Sequence, residues 1–532
     1  MLISIDDVAR HGVLKDAPST ELPPGAWTDA LNMSFYDGRA RKAAGSKVFK
    51  SGTTIAPYSL LPMKVLTQNF WVYGGLTKVY AILGPNVGDI TRTSGGDYTM
   101  TTTQRWNGGV LNGVPVLNNG ADVPQYWASP ALGSPLANLP NWPSTHRAKI
   151  IRPYKAYLIA MDITKSGVSY PALVLWSHTA DPGTVPSSWD VTNASVDAGE
   201  VPLAEELSAI VDGVQLGEAF VIYKAGSVHL MQSSGDANIF LFRTAFGEFG
   251  ALAQDCVREL KGKHLVVTDD DVLIHDGVNA ETVIDARNRR ALFSDIDPSY
   301  AFRSTLVENH PRSEMLFCYP SNGSEYLNKA AVWNWQSNTW TFKELPAGVL
   351  SVQSSQFGPG GASDSWEADS VTWDGESILQ WDDPSFAAFG DAIIYGDGPG
   401  LELVQHDESR FLDEAGVAYE SYLERRQCSL VGVKNDGTPR YDPTSLKFIR
   451  ALWPRIEATR GTKIEISIGT QMSSGEPIAW EGPITFHVGE DEFINPLVQG
   501  RLISYRFAES SGVDWSLLGY DVELEISGKR GG

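Results

Sequence analysis

The sequence predicts an all-β protein: a β-propeller-like core with an extended N-terminal arm and an additional C-terminal β-sandwich or platform. Three observations carry this. The chain repeats one unit, a short apolar run, a tight polar turn and a second short apolar run, which is the pattern of a β-hairpin. It occurs in Phe70–Tyr80, in Phe220–Leu230, in His264–Val267 with Val272–His275 around the Asp269–Asp271 turn, and in Ala331–Trp335 with Trp340–Phe342 around Ser337-Asn338. The 51 Gly and 30 Pro are spread without a strict period and act as turn punctuation. The 16 Trp suit a scaffold in which flat rings fill the space between pleated faces. At 532 residues the chain can form several domains, or one ring-shaped domain with appendages.

Residues 1–50 read as the arm. Pro18, Pro23 and Pro24 interrupt regular structure, and Ala26–Leu31 has the composition of one helical turn. Residues 51–400 carry the hairpins. Strand-like runs include Val110-Leu111 with Val114–Leu117, Ala156–Met161, Leu173–Trp176, Met315–Tyr319 and Val371–Trp373. They recur on the scale of propeller blades, which run about 40–50 residues, with no fixed period and no repeated signature dipeptide. Leu203–Ile210 is a short helical candidate. Pro182–Pro202 and Gln353–Asp369 read as long polar surface loops. In residues 401–532 the strands lengthen and alternate, as in Lys463–Ile468 and Asp521–Ile526. Alternation at period two gives one buried and one wet face, so this stretch reads as a separate platform.

The net charge is −22, with acidic residues dispersed along the chain. Such a surface is either simply solvated or shaped to repel a polyanion. Sequence-independent grasping of nucleic acid needs the opposite sign, whereas a conduit for DNA is compatible with it. The three cysteines, Cys256, Cys318 and Cys428, lack metal-ligand spacing and read as small buried hydrophobes of a chain folded in a reducing compartment. The first residues lack the basic and apolar regions of a secretory signal. No apolar run approaches the roughly 18–20 residues that span a bilayer, so no membrane span is expected.

Catalytic spacing is missing. There is no phosphate-binding loop, no His-Glu-x-x-His and no nucleophile elbow. The nine His are scattered; His264 and His275 flank the third hairpin and read as half-exposed structural residues. Asp269–Asp271 with Asp276 fits either a calcium site built from carboxylate oxygens or an ordinary hairpin turn. A glycosidase propeller needs two carboxylates roughly 5–10 Å apart, and 64 acidic residues guarantee some such pair in any fold. The Ser-x-Asp-x-Gly-x-x-Trp box of sialidases survives only as the fragment Trp373–Glu376. No enzymatic activity, cofactor or metal site is expected. The alternatives are a carbohydrate-active propeller of the phage depolymerase kind and a host-recognition module that stacks glycans on exposed Trp such as Trp189.

Leu22–Met33 with Phe35, Asp37-Gly38 and Lys42–Gly45 resembles the opening of short-tailed phage tail proteins. Leu175–Ser177 with Ala180–Pro182, Ser188-Trp189 and Ala198-Gly199 is similar to them, as are Gly217–Lys224 and His275–Gly277. So is the C-terminal run Gly500–Arg506 with Trp515, Leu518–Tyr520 and Gly528–Arg530. The family is the tail nozzle group, also called tail tubular protein B or tail stabilisation protein, and the resemblance covers most of the chain. It implies a homo-hexameric ring below the tail adaptor protein, built on one propeller per subunit with added β platforms. It implies a structural virion protein that extends the DNA channel, retains the genome and docks tail fibre or needle proteins, assembled in the host bacterial cytoplasm. It implies that DNA passes the lumen without specific binding, and it brings no activity or cofactor. It gives the first 45 residues a role as an arm tying one subunit to its neighbour or to the adaptor. Trp27, Asp29, Asn32 and Phe35 are its contact residues, with Trp27 and Phe35 as buried anchors. Packing of both rings within their own subunit is the alternative.

Overall fold

Each of the four hairpins read from the sequence lies in a four-stranded antiparallel sheet: three form its central pair, and Ala331–Phe342 forms the outer pair. The computed structural model describes residues 1–66, 68–235, 239–358, 391–433 and 438–527. Among these residues there are seven such sheets. Their innermost strands are Ser59–Val65, Asn107–Leu111, His146–Tyr154, Ile210–Leu216, Val257–Leu260, Thr305–Asn309 and Val349–Ser355. Each innermost strand packs beside the next, and the seventh packs beside the first, so the sheets close into a ring. The protein is therefore all-β with a seven-bladed propeller, a closure that leaves only short outer strands exposed.

Ring closure is not sequential. The outer strand of blade 7 is Gly45–Lys50, which comes from ahead of blade 1 and pairs antiparallel with Glu402–Asp407. Polar side chains also tie blades across the interior. Arg152 of blade 3 grips Asp212 of blade 4 with two bonds of 2.9 Å and reaches Asp255, ahead of blade 5, at 3.0 Å. Arg105, ahead of blade 2, donates to the carbonyls of Gln254 at 3.2 Å, Ser304 at 3.3 Å and Arg303. Burial alone would push the Asp255 carboxyl up; the charges of Arg152, Arg258 and Arg105 outweigh it and hold the group below its ordinary value.

Two further sheets form a sandwich. One contains Leu2–Asp6, Met33–Tyr36, Arg39–Lys42, Trp515–Ser527, Leu446–Ala458 and Val498–Gly500. The other contains Asp29–Leu31, Ser421–Cys428, Leu502–Glu509, Lys463–Gln471 and Ala479–His487. The alternation seen in Lys463–Ile468 works as expected: Ile464, Ile466 and Ile468 are fully buried between the sheets. Residues 2–42 are thus not a free arm but four strands of this chain's own sandwich. The three cysteines are buried and unpaired.

Local expectations fail where tertiary partners consume the backbone. Leu203–Ile210 is not helical, because the Lys224 ammonium takes the carbonyls of Leu203 and Glu206, and the Glu206 carboxylate binds Ser208. Ala26–Leu31 is not helical either: Asp29–Leu31 is a strand on Tyr422–Glu424. The helix Ala286–Asp295 was not anticipated; its start is capped by the Asp285 side chain, which accepts from the Arg287 N–H. Gln353–Ser355 belong to a strand rather than a loop, and 359–369 and 371–376 lie outside the described residues.

His264 and His275 are not half-exposed. They face each other across the hairpin and are 0 % and 1 % exposed. The Tyr223 hydroxyl lies 2.8 Å from His264 Nδ1 and 2.6 Å from His275 Nε2. His264 Nε2 faces the Gln215 carbonyl and must donate to it, so its Nδ1 accepts from Tyr223. His275 Nδ1 accepts the Gly277 N–H, so its Nε2 donates to the Tyr223 oxygen. Every polar atom is satisfied with both imidazoles neutral, and burial lowers each pKa to about 4. The unfolded chain protonates these rings near 6.5 and the folded one near 4. Their stabilising contribution is therefore complete above pH 6.5 and is lost as pH falls from 6.5 to 4, at up to about 1.4 kcal/mol per ring per pH unit. Calorimetry from pH 7.5 to 4 should show the melting temperature falling in this window, and falling less in the His264→Gln/His275→Gln double variant.

Candidate functional site

The four residues singled out in the first 45 lie together, at the junction of propeller and sandwich. Trp27 is 2 % exposed, donates its indole N–H to the Val8 carbonyl at 2.8 Å and packs on Phe507 and Tyr520, one from each sheet. Phe35 is also 2 % exposed. Both rings are core residues of their own chain, which corrects their reading as anchors on a neighbour. Asp29 accepts the Tyr422 hydroxyl at 3.0 Å and pairs with Lys15 at 2.9 Å.

Asn32 joins the two bodies through one side chain. Its Oδ1 accepts the Glu344 N–H of blade 6 at 3.0 Å, and its Nδ2 donates to the Glu420 carbonyl beside the sandwich at 2.9 Å. Its φ of 53° lies in the left-handed region, which asparagine tolerates better than most residues. Only a side chain with both a donor and an acceptor can bridge these two groups.

Around Asn32 the chain covers the outer strand of blade 6, Thr339–Glu344. The Val13 and Asn32 N–H groups donate to the carbonyls of Trp340 at 2.9 Å and Phe342 at 3.2 Å. The Thr341 hydroxyl donates to Met33 O at 2.7 Å, and the Ser337 and Thr339 hydroxyls to Phe35 O at 3.2 Å. On the sandwich side, Lys42 and Glu509 form a wholly buried ion pair at 2.6 Å, and Lys42 also donates to Tyr419 O. The clasp ends at Ala43 and Ala44, beyond which Gly45–Lys50 enters blade 7. Two residues span about 7 Å at most, so the sandwich strand and the blade strand must belong to adjoining bodies.

Under the clasp lies a cluster of titratable groups that the sequence reading missed: Arg312, Glu314, Lys343, His406 and Glu408. Arg312 Nε donates to Glu408 at 2.6 Å and Arg312 Nη1 to the Tyr36 hydroxyl at 2.6 Å. Lys343 donates to Ala44 O at 2.8 Å and lies 3.3 Å from His406 Nδ1. That nitrogen therefore accepts, and His406 Nε2 donates to Glu408 at 3.0 Å. The cavity they line measures about 10 Å³. It has room for about one water molecule and none for a sugar ring, so the two carboxylates are not placed for glycosidic cleavage. The only sequence signal was an acid heading an apolar run, Glu314 before Met315–Tyr319.

Other candidates are absorbed by packing. Trp189 is 3 % exposed and stands edge-on to Trp142 at 4.7 Å, which corrects its reading as an exposed sugar platform. In the Asp269–Asp271 turn, Asp270 pairs with Arg289, while Asp271 accepts from Val272 N and Thr282. Among the described residues no group of three acidic, His or Cys side chains is arranged to hold a metal ion.

No family model and no curated protein matches this sequence. Solved structures similar to it include two at a TM-score of 0.35. The WD40 β-propeller domain of Doa1 is 10 % identical over 68 % of this chain and 98 % of its own. PorZ, a bacterial surface component of the type-IX secretion system of Porphyromonas gingivalis, is 9 % identical over 82 % of this chain and 46 % of its own.

Two substitutions test the clasp. Trp27→Ala should cost about 3–5 kcal/mol in denaturant unfolding, the cost of emptying a large buried ring. Asn32→Ala should cost about 2–4 kcal/mol, from two lost bridges and the strained backbone. Asn32→Gly, which relieves the backbone, should recover about 1 kcal/mol of that loss.

Proposed function

We propose that this chain is a structural subunit of a short-tailed phage tail, a nozzle protein whose copies form a hexameric ring below the tail adaptor. The observation that carries the reading is the clasp. Its strands and hydrogen bonds join propeller and sandwich into one body with no loose linker, as a ring under internal pressure requires. The residue resemblance in the opening, central and C-terminal stretches agrees with it. So does the charge of −22, which would keep a passing genome from adhering to the lumen. In this role the subunit performs no catalysis and needs no cofactor. In this reading fibre or needle proteins dock on the ring.

A ring also needs an edge for its neighbour. The outer strands of blades 6 and 7 are covered by this chain: blade 6 by the clasp, blade 7 by bonds from Gly45 and Ser46 to the carbonyls of Arg410 and Leu412. Among the described residues no strand pairs with the outer side of Phe240–Phe246, which ends blade 4; Leu241 is 56 % exposed, and Arg243 is the strand's one charge. An open apolar edge of this length favours pairing with another chain. In the nozzle reading it meets the adjacent copy.

Sedimentation and negative-stain images of the protein with purified tail adaptor should show sixfold rings. Leu241→Lys should weaken ring formation while leaving the melting temperature within a few degrees. Genome retention that is normal in virions lacking the protein, or turnover of a polysaccharide by the purified chain, overturns the reading.

A further inference from the structure

The cluster under the clasp sets a buried carboxyl, Glu314, beside a partly exposed one, Glu408, and its charged and imidazole donors go to Glu408. Asn309 Nδ2 lies 2.9 Å from Glu408 and 3.5 Å from Glu314. Glu408 also receives Arg312 and His406. Glu314 is 7 % exposed and sits opposite Asn309 in the first hairpin of blade 6. Its remaining support is the Ser34 hydroxyl, which belongs to the clasp strand Met33–Tyr36.

We propose that this junction is latched by a proton: Glu408 takes the Arg312 and His406 donors, and the clasp closes fully on blade 6 when the buried Glu314 carboxyl carries a hydrogen. With Glu314 protonated, the cluster holds one carboxylate with its three donors, and the second carboxyl is a neutral partner for Ser34. With Glu314 ionised, a buried negative group held by a 3.5 Å amide bond and the Ser34 hydroxyl lies beside the negative charge of Glu408.

Charged and titratable groups face Glu314 from every element around it. The turn 310–312 contributes Arg312, which is committed to Glu408 and Tyr36. The outer strand of blade 6 contributes Lys343, committed to Ala44 O. Blade 7 contributes His406 and Glu408. His406 Nδ1 accepts from Lys343, which calls for the neutral ring, and burial with the Lys343 charge lowers its pKa. The clasp contributes Ser34 and the Tyr36 hydroxyl. Burial first, then the Glu408 charge, raise Glu314 to about 7 against Arg312 and Lys343. A raised acid stabilises the closed form below its open-state value of 4.5, and that contribution is lost as pH rises from 4.5 to 7. This is opposite in sign to the His264–Tyr223–His275 network.

Amide hydrogen exchange of the full chain at pH 5 and pH 8, corrected for intrinsic rates, tests the latch. In the wild type the amides of 33–42 and 339–344 should open up to roughly 70-fold more often at pH 8. Glu314→Gln should flatten this difference. Glu408→Gln, which removes the neighbouring negative charge, should move the transition to lower pH. Identical pH profiles in wild type and Glu314→Gln overturn the proposal. If Glu314→Gln does not fold, infrared titration of the wild type decides. A protonated-carboxyl band that disappears near neutral pH, with the midpoint seen in exchange, supports the latch, and its absence at pH 6 overturns it.

Discussion

Two residues, Ala43 and Ala44, set the relation between the two halves of the molecule. The chain leaves the sandwich at Lys42 and enters the propeller at Gly45. It returns after Asp407, and Glu402–Asp407 is the strand on which Gly45–Lys50 pairs. Both crossings therefore meet the ring at one blade, and that blade is the one that closes it. Any force that separates sandwich from propeller acts on the same ladder that keeps the ring shut. The clasp on blade 6 spreads that force over a second blade. Ring closure, sandwich packing and the clasp are one mechanical unit because a two-residue step leaves no slack.

Much of this was legible. The four quoted hairpins all exist, since short apolar runs around a tight turn specify strand pairing locally. The seven-fold repeat was not, because the innermost strands begin at 59, 107, 146, 210, 257, 305 and 349. Blade 3 is stretched by the long segment that carries Trp189, which blurs any period. The clasp could not be read from local pattern. Trp27, Asn32 and Phe35 look like a loosely structured arm until the strands around 422 and 520 supply their partners. The pairing of His264 with His275 could have been read: a four-residue turn after Val267 places them opposite one another.

Several buried cations in this fold replace regular structure. Lys224 holds the Leu203 and Glu206 carbonyls where a helix would have used them. Lys447 gathers the carbonyls of Asp442, Ser445 and Arg501 at the sandwich edge. Arg425 takes Ser19 and Leu22. An ammonium or guanidinium desolvated among carbonyls costs stability unless every donor is used, and substituting it strands the carbonyls as well. Such residues specify one path for irregular chain between strands, which hydrophobic burial alone does not do.

Two buried networks give the fold opposite responses to protons. The neutral His264–Tyr223–His275 chain loses stabilising free energy as acid is added, and the Glu314 carboxyl gains it. Between pH 6.5 and 4.5 their windows overlap, with two imidazoles set against one carboxyl. The balance favours the imidazoles, so mild acid tightens the clasp while it weakens the interface of blades 4 and 5. Proton uptake thus redistributes stability within the protein as well as lowering it. Because the clasp lies on blade 6 and the histidines on blade 5, the two responses act on neighbouring parts of one ring and are separable by local measurement, though not by a single melting temperature.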